Sequence, residues 1–148
     1  AFRGNVSCGI SVGTRDCYNL IEDCQIEDNE GPGILFRVTP RPTEVHSCRV
    51  VGCRIAGNAR RTGWGQVDIL SDAHDLALVD NTISGLAGRE RAGIYIAPSA
   101  QRIWLANNRI SDCFPAVVGD AGSLAAAEPS FACGQEAAQE VHFRHLRL

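Results

Sequence analysis

One period runs through this chain and limits its folding more than any other feature. Ile26-Glu27-Asp28-Asn29, Ile55-Ala56-Gly57-Asn58, Ile83-Ser84-Gly85-Leu86 and Ile110-Ser111-Asp112-Cys113 share one register, and the isoleucines are 29, 28 and 27 residues apart by subtraction. Phe2-Arg3-Gly4-Asn5 matches them at the start. Two residues before each isoleucine stand Cys24, Cys53, Asn81 and Asn108; three further back stand Ile21, Val50, Leu78 and Leu105. A second run precedes each set: Gly9-Ile10-Ser11-Val12, Gly33-Ile34-Leu35-Phe36, Gln66-Val67-Asp68-Ile69 and Gly93-Ile94-Tyr95-Ile96. Val141, Phe143, Leu146 and Leu148 repeat the spacing of Ile103, Leu105, Asn108 and Ile110, displaced by 38 residues across an Ala- and Gly-rich insertion.

Within each unit the apolar residues alternate, which is the period of a half-buried strand. The runs are short and punctuated by Gly, Asn and Asp, the residues that turn a backbone sharply. A single unit cannot bury its own apolar side, so like units must stack and share an interior. The expectation is an all-β fold, a right-handed parallel β-helix solenoid of about five coils, with a C-terminal insertion before the last strand. One domain is expected over 1–148, with coils at roughly 1–9 (partial), 10–32, 33–65, 66–92, 93–115 and 116–148. A β-sandwich would also give many short strands, but not repeated matches in one register. A leucine-rich repeat would need an LxxLxLxxN signature that is absent.

The column Cys24, Cys53, Asn81, Asn108, Leu146 is the most diagnostic. An inward Asn is costly unless its amide is bonded, and stacked Asn side chains can bond each other and the turn backbone. The Gly-Ile-x-Val strands, the Asn-x-Ile turns and the near-constant coil length resemble the pectate-lyase-like right-handed β-helix superfamily. That resemblance implies action on acidic polysaccharides through the outward face of the sheet built by the Gly-Ile-x-Val strands. It also implies an extracellular or cell-envelope location, although unpaired cysteines leave a reducing compartment open.

Composition removes several function classes. The net charge of −3 gives no field for nucleic acid, and no basic stripe with interleaved aromatics is present. No apolar run is long enough to span a bilayer. The first residues lack the apolar segment of a signal peptide, and the missing initiator Met points to a processed chain or a piece of a longer one. Seven scattered cysteines without a CxxC pair read as buried free thiols before they read as a disulfide framework. No cofactor is expected, because there is no phosphate loop or nucleophile elbow.

On the outward face the register aligns Ser11, Leu35, Asp68 and Tyr95, followed by Arg37, Leu70 and Ala97. Loops entering this sheet carry Arg60-Arg61-Thr62-Gly63-Trp64 and Arg89-Glu90-Arg91. Together they suggest a groove in which Arg37, Arg60, Arg61, Arg89 and Arg91 meet sugar carboxylates while Trp64 and Tyr95 meet sugar faces. Asp68 is the candidate acid or base there. Lyases of the resembled superfamily gather several carboxylates for calcium, whereas Asp68 stands alone in its row. Asp72-Ala73-His74-Asp75 is similar to the Asp-Pro-His-Asp motif of mannuronan epimerases, with Ala73 in place of Pro, which makes His74 a second catalytic candidate. Cys17, His46 and His74 share one register position and form a weak candidate metal set. The first coil leaves a strand edge that adjoining coils or another subunit would cover. The competing reading is a non-catalytic structural or protein-interaction solenoid.

Overall fold

The short apolar runs become strands, and the Asn, Asp and Gly joints become corners, in the computed structural model, which describes residues 1–70, 72–126 and 128. In chain order the strands are β1 (Phe2–Arg3), β2 (Ile10–Val12), β3 (Leu20–Glu22), β4 (Gln25–Glu27), β5 (Ile34–Phe36), β6 (Arg49–Val51) and β7 (Arg54–Ala56). They continue as β8 (Gly65–Ile69), β9 (His74–Val79), β10 (Thr82–Ser84), β11 (Ala92–Ile96), β12 (Gln101–Ala106), β13 (Arg109–Ser111) and β14 (Val117–Val118). Every third strand pairs in parallel. Sheet A is β1-β4-β7-β10-β13, sheet B is β2-β5-β8-β11-β14, and sheet C is β3-β6-β9-β12. The result is a three-sided parallel β-solenoid of about 4 turns, slightly fewer than expected.

The corners explain why the strands are so short. At the B-to-C corner, Tyr18, Ser47, Asp75 and Arg102 all take left-handed backbone (φ 57, 54, 54 and 53°). At the C-to-A corner the same is true of Asp23, Gly52, Asp80 and Asn107 (φ 48, 63, 56 and 54°). Asp, Asn and Gly accept this conformation at low cost, so their recurrence at the C-to-A corner turns the chain there once per coil, whereas at the B-to-C corner only Asp75 is of that kind. At Gly52 a Cβ would lie 2.6 Å from Asp23 Oδ1, so a larger residue there would have to displace that carboxylate.

The predicted columns are present. Ile26 pairs with Ile55, Ile55 with Ile83 and Ile83 with Ile110, and the first three are fully buried. Ile21, Val50, Leu78 and Leu105 form a second column. Ile34, Val67 and Ile94 form a third, also fully buried. Each such aliphatic chain contributes about 2 kcal/mol of burial, and none could do so without the rung above and below. Polar ladders close two corners. Asn108 Oδ1 accepts from Asn81 Nδ2 at 2.9 Å, and Asn81 Oδ1 accepts from the Cys53 N–H at 2.9 Å. Asn29 Nδ2 donates to Asn58 Oδ1 at 2.7 Å, and the buried Gln66 caps that second ladder through the Asn58 backbone.

The insertion after Val118 begins with a 3-10 turn, Ala121–Ser123, and returns at once to sheet C, where Leu124 bridges Ile103. Ala125 then packs on a second apolar cluster, Ala77, Val79, Trp104 and Ala106, and Glu128 pairs with Arg49 of β6. The final strand expected over Val141, Phe143, Leu146 and Leu148 lies outside the described residues. No helix among the described residues is long and apolar enough to cross a membrane.

Candidate functional site

The outer face of sheet B is built as the register predicts: Ser11, Leu35, Asp68 and Tyr95 succeed one another, and Val118 follows Tyr95. What the register could not show is that this face is roofed at its centre. The loop ahead of β8 folds over the sheet, and Asp68 is only 2% exposed beneath it. Asp68 Oδ2 accepts from the Trp64 N–H at 3.0 Å and Oδ1 from the Gly65 N–H at 2.7 Å. Burial raises its pKa to about 6, against the opposing pull of those two N–H groups and of Arg91. Both carboxylate oxygens are thus engaged by the backbone of the loop that carries Trp64. Gly63 completes the turn at φ +98°, where a Cβ would meet Pro32 at 2.8 Å.

Trp64, held this way, stays 62% exposed and stacks on Tyr95 of the next rung, with ring centroids 5.4 Å apart and 23° between planes. The arginines of the two loops mostly tie neighbouring coils together. Arg61 pairs with Glu30 at 3.0 Å and Arg60 with Asp28 at 3.7 Å. Arg89 donates to the Arg60 carbonyl at 2.5 Å, and Arg91 donates to the Gly63 carbonyl at 2.9 Å. Arg37 sits apart from this group, its guanidinium lying over Gly13 on the first coil.

Sequence reasoning missed Phe114. The Ala92 N–H donates to the Trp64 carbonyl and the Phe114 N–H to the Arg91 carbonyl, so Trp64, Arg91 and Phe114 occupy one column on three successive rungs. Counting back from Ile94 and Val117, partners in sheet B, would have found this alignment. Phe114 is 79% exposed and forms one wall of a cleft of about 400 Å³ with Leu86, Ala87, Arg89, Glu90 and Asp112.

The B-to-C corner brings the other candidates together differently. Cys17 bridges His46 and His46 bridges His74, as the register implied. The two imidazoles stack face to face, 5.2 Å apart and 7° from parallel. Ring lone pairs lie in the ring plane, so stacked faces do not aim at one point between them. Among the described residues no three His, Cys, Asp or Glu side chains are grouped so as to hold a metal ion. Within Asp72-Ala73-His74-Asp75, Ala73 is core, Asp72 pairs with Arg41 at 3.1 Å, and Asp75 takes two 2.6 Å bonds from Arg102. The Arg102 guanidinium, and the His74 ring 2.8 Å away, hold Asp75 down to about 2. A smaller cleft of about 230 Å³ opens here between Arg41, His74, Ser99 and Arg102.

The described cysteines, Cys8, Cys17, Cys24, Cys48, Cys53 and Cys113, are free thiols. Burial pushes Cys53 and Cys113 up to about 11, which keeps them protonated and unreactive. Comparisons with protein-family models, with curated proteins and with solved structures find no match.

Proposed function

We propose that this solenoid binds acidic polysaccharide along the outer edge of sheet B, and that it binds without cleaving. The observation that carries the reading is the exposed Trp64 ring, braced from below by Tyr95 and fixed at its backbone by Asp68. A rigid aromatic surface offers a sugar face about 1 kcal/mol of stacking without first having to be ordered. Arg91, one rung on in the same column, supplies a forked cation for a carboxylate; one bond to Gly63 uses only one of its five N–H donors. The resemblance of the strand pattern to the pectate-lyase-like superfamily supports the same ligand class.

Catalysis is not favoured at either candidate. Asp68 lies under its loop with both oxygens bonded, so it works as a positioning residue for Trp64. His74 faces Asp75 and Arg102 at a different corner of the coil. The test is a panel of immobilised glycans together with an absorbance assay for unsaturated uronate products. Retention of uronate polymers without turnover, lowered at least ten-fold by Trp64→Ala, is the expected result. If no glycan is retained, or if Trp64→Ala and Arg91→Ala bind like the parent, the polysaccharide reading fails and an interaction scaffold takes its place.

A further inference from the structure

The column Trp64–Arg91–Phe114 has two ends of different chemistry. Strand partners in a sheet lie about 4.8 Å apart, so Trp64 and Phe114 stand roughly 10 Å apart along the axis, on the scale of a disaccharide. At the Trp64 end the cation is Arg91, which follows on the next rung, while Arg60 and Arg61 of the same loop are paired with Asp28 and Glu30. At the Phe114 end the cleft is bounded by the carboxylates of Glu90 and Asp112 against a single cation, Arg89, which also donates to the Arg60 carbonyl. A uronate placed against Phe114 would face two like charges. An uncharged sugar would instead give hydroxyl and amide N–H donors to those carboxylates and lay its apolar parts on Phe114, Leu86 and Ala87.

Resting on the polysaccharide reading above, we infer that the preferred ligand is an alternating copolymer, in which a uronate sits at Trp64 and Arg91 and an N-acetylated, uncharged sugar fills the Phe114 cleft. The groove thus selects against homopolymeric uronates.

The test uses two octasaccharides in calorimetric titrations: hyaluronan, which alternates glucuronate with N-acetylglucosamine, and oligogalacturonate. Hyaluronan is expected to bind at least ten-fold tighter. Phe114→Ala should erase that preference while leaving oligogalacturonate unchanged, and Trp64→Ala should weaken both. Glu90→Gln with Asp112→Asn should raise oligogalacturonate affinity several-fold. Phe114 is mostly exposed, so an unchanged melting temperature confirms that its variant is folded. Equal affinities, or a preference that survives Phe114→Ala, overturn this inference and leave the binding reading intact. If neither octasaccharide binds, both fall.

Discussion

Asp68 and Asp75 stand on one coil, seven residues apart, and the fold drives their acidities in opposite directions. Asp68 is held near 6 and Asp75 near 2. Both are well bonded, so the number of bonds is not what separates them. Asp68 is bonded by two backbone N–H groups under a roof that excludes water, and those dipoles recover only part of the hydration a carboxylate loses. Asp75 keeps some contact with solvent and receives a full counter-charge through both of its oxygens from Arg102. The first arrangement positions a loop at the expense of the charge; the second is a corner staple that favours the charge.

The largest expected effect comes from removing Asp68. Asp68→Ala leaves the Trp64 and Gly65 N–H groups without an acceptor beneath the roof, at about 1–3 kcal/mol for each such group. Measured by urea unfolding at pH 4.5, where the parent carboxyl is mostly protonated, the variant should lose about 2–3 kcal/mol. It should also show loosened Trp64 fluorescence. A loss below about 0.5 kcal/mol would mean that Asp68 does not anchor the loop.

The same variant should cost progressively less as the solution becomes more alkaline. Folding raises the Asp68 pKa from 3.8 to about 6, so between those values the native state binds more protons than the unfolded one. The stability this gives is complete below pH 3.8 and is lost as pH rises through 6. The gap between parent and Asp68→Ala should therefore shrink by roughly 2–3 kcal/mol from pH 4 to pH 7.5, since each ten-fold change in proton affinity is worth about 1.36 kcal/mol. A gap that widens over that range would reverse the account of this site.

How much of this contrast was legible beforehand depends on which residues one follows. The Ile26–Ile55–Ile83–Ile110 stripe and the Cys53–Asn81–Asn108 ladder were legible because one rung dictates the next, and stacking turns sequence spacing directly into contact. The outward placement of Asp68 and the succession Cys17, His46, His74 were legible for the same reason. The roof over Asp68 was not. It is made by the segment ahead of β8, whose path depends on a φ of +98° at Gly63 rather than on the repeat. Nor were the partners of Arg60, Arg61, Arg89 and Arg91, since long side chains reach across coils to acids and carbonyls that periodicity does not mark. Phe114 was legible in principle, but only with the sheet B strands as the origin of the count.

Asp75 offers the converse experiment with a smaller effect. Asp75→Asn keeps a residue that tolerates φ near 54° and removes the charge. Its native pKa lies below the unfolded value of 3.8, so the stabilisation is present above 3.8 and disappears as pH falls through about 2. Because both partners touch solvent, the variant should lose only about 1 kcal/mol at pH 6.5, and nothing near pH 2. The costs of the two substitutions should therefore run in opposite directions with pH, which is a sharper check than either value alone. Parallel trends would show that the two acids share one environment.

Salt gives the smallest effect and the finest separation. Arg102 is about half exposed, so its pairing with Asp75 is open to counter-ions, and 1 M sodium chloride shortens the screening length to about 3 Å. The cost of Asp75→Asn at pH 6.5 should then fall by a few tenths of a kcal/mol. Asp68 is bonded to neutral N–H groups out of contact with solvent, so the cost of Asp68→Ala at pH 4.5 should not change with salt beyond the error of the midpoint. Salt sensitivity at Asp68 equal to that at Asp75 would mean that the Trp64 loop opens often enough to admit ions, and the aromatic platform would then be a mobile flap instead of a fixed surface.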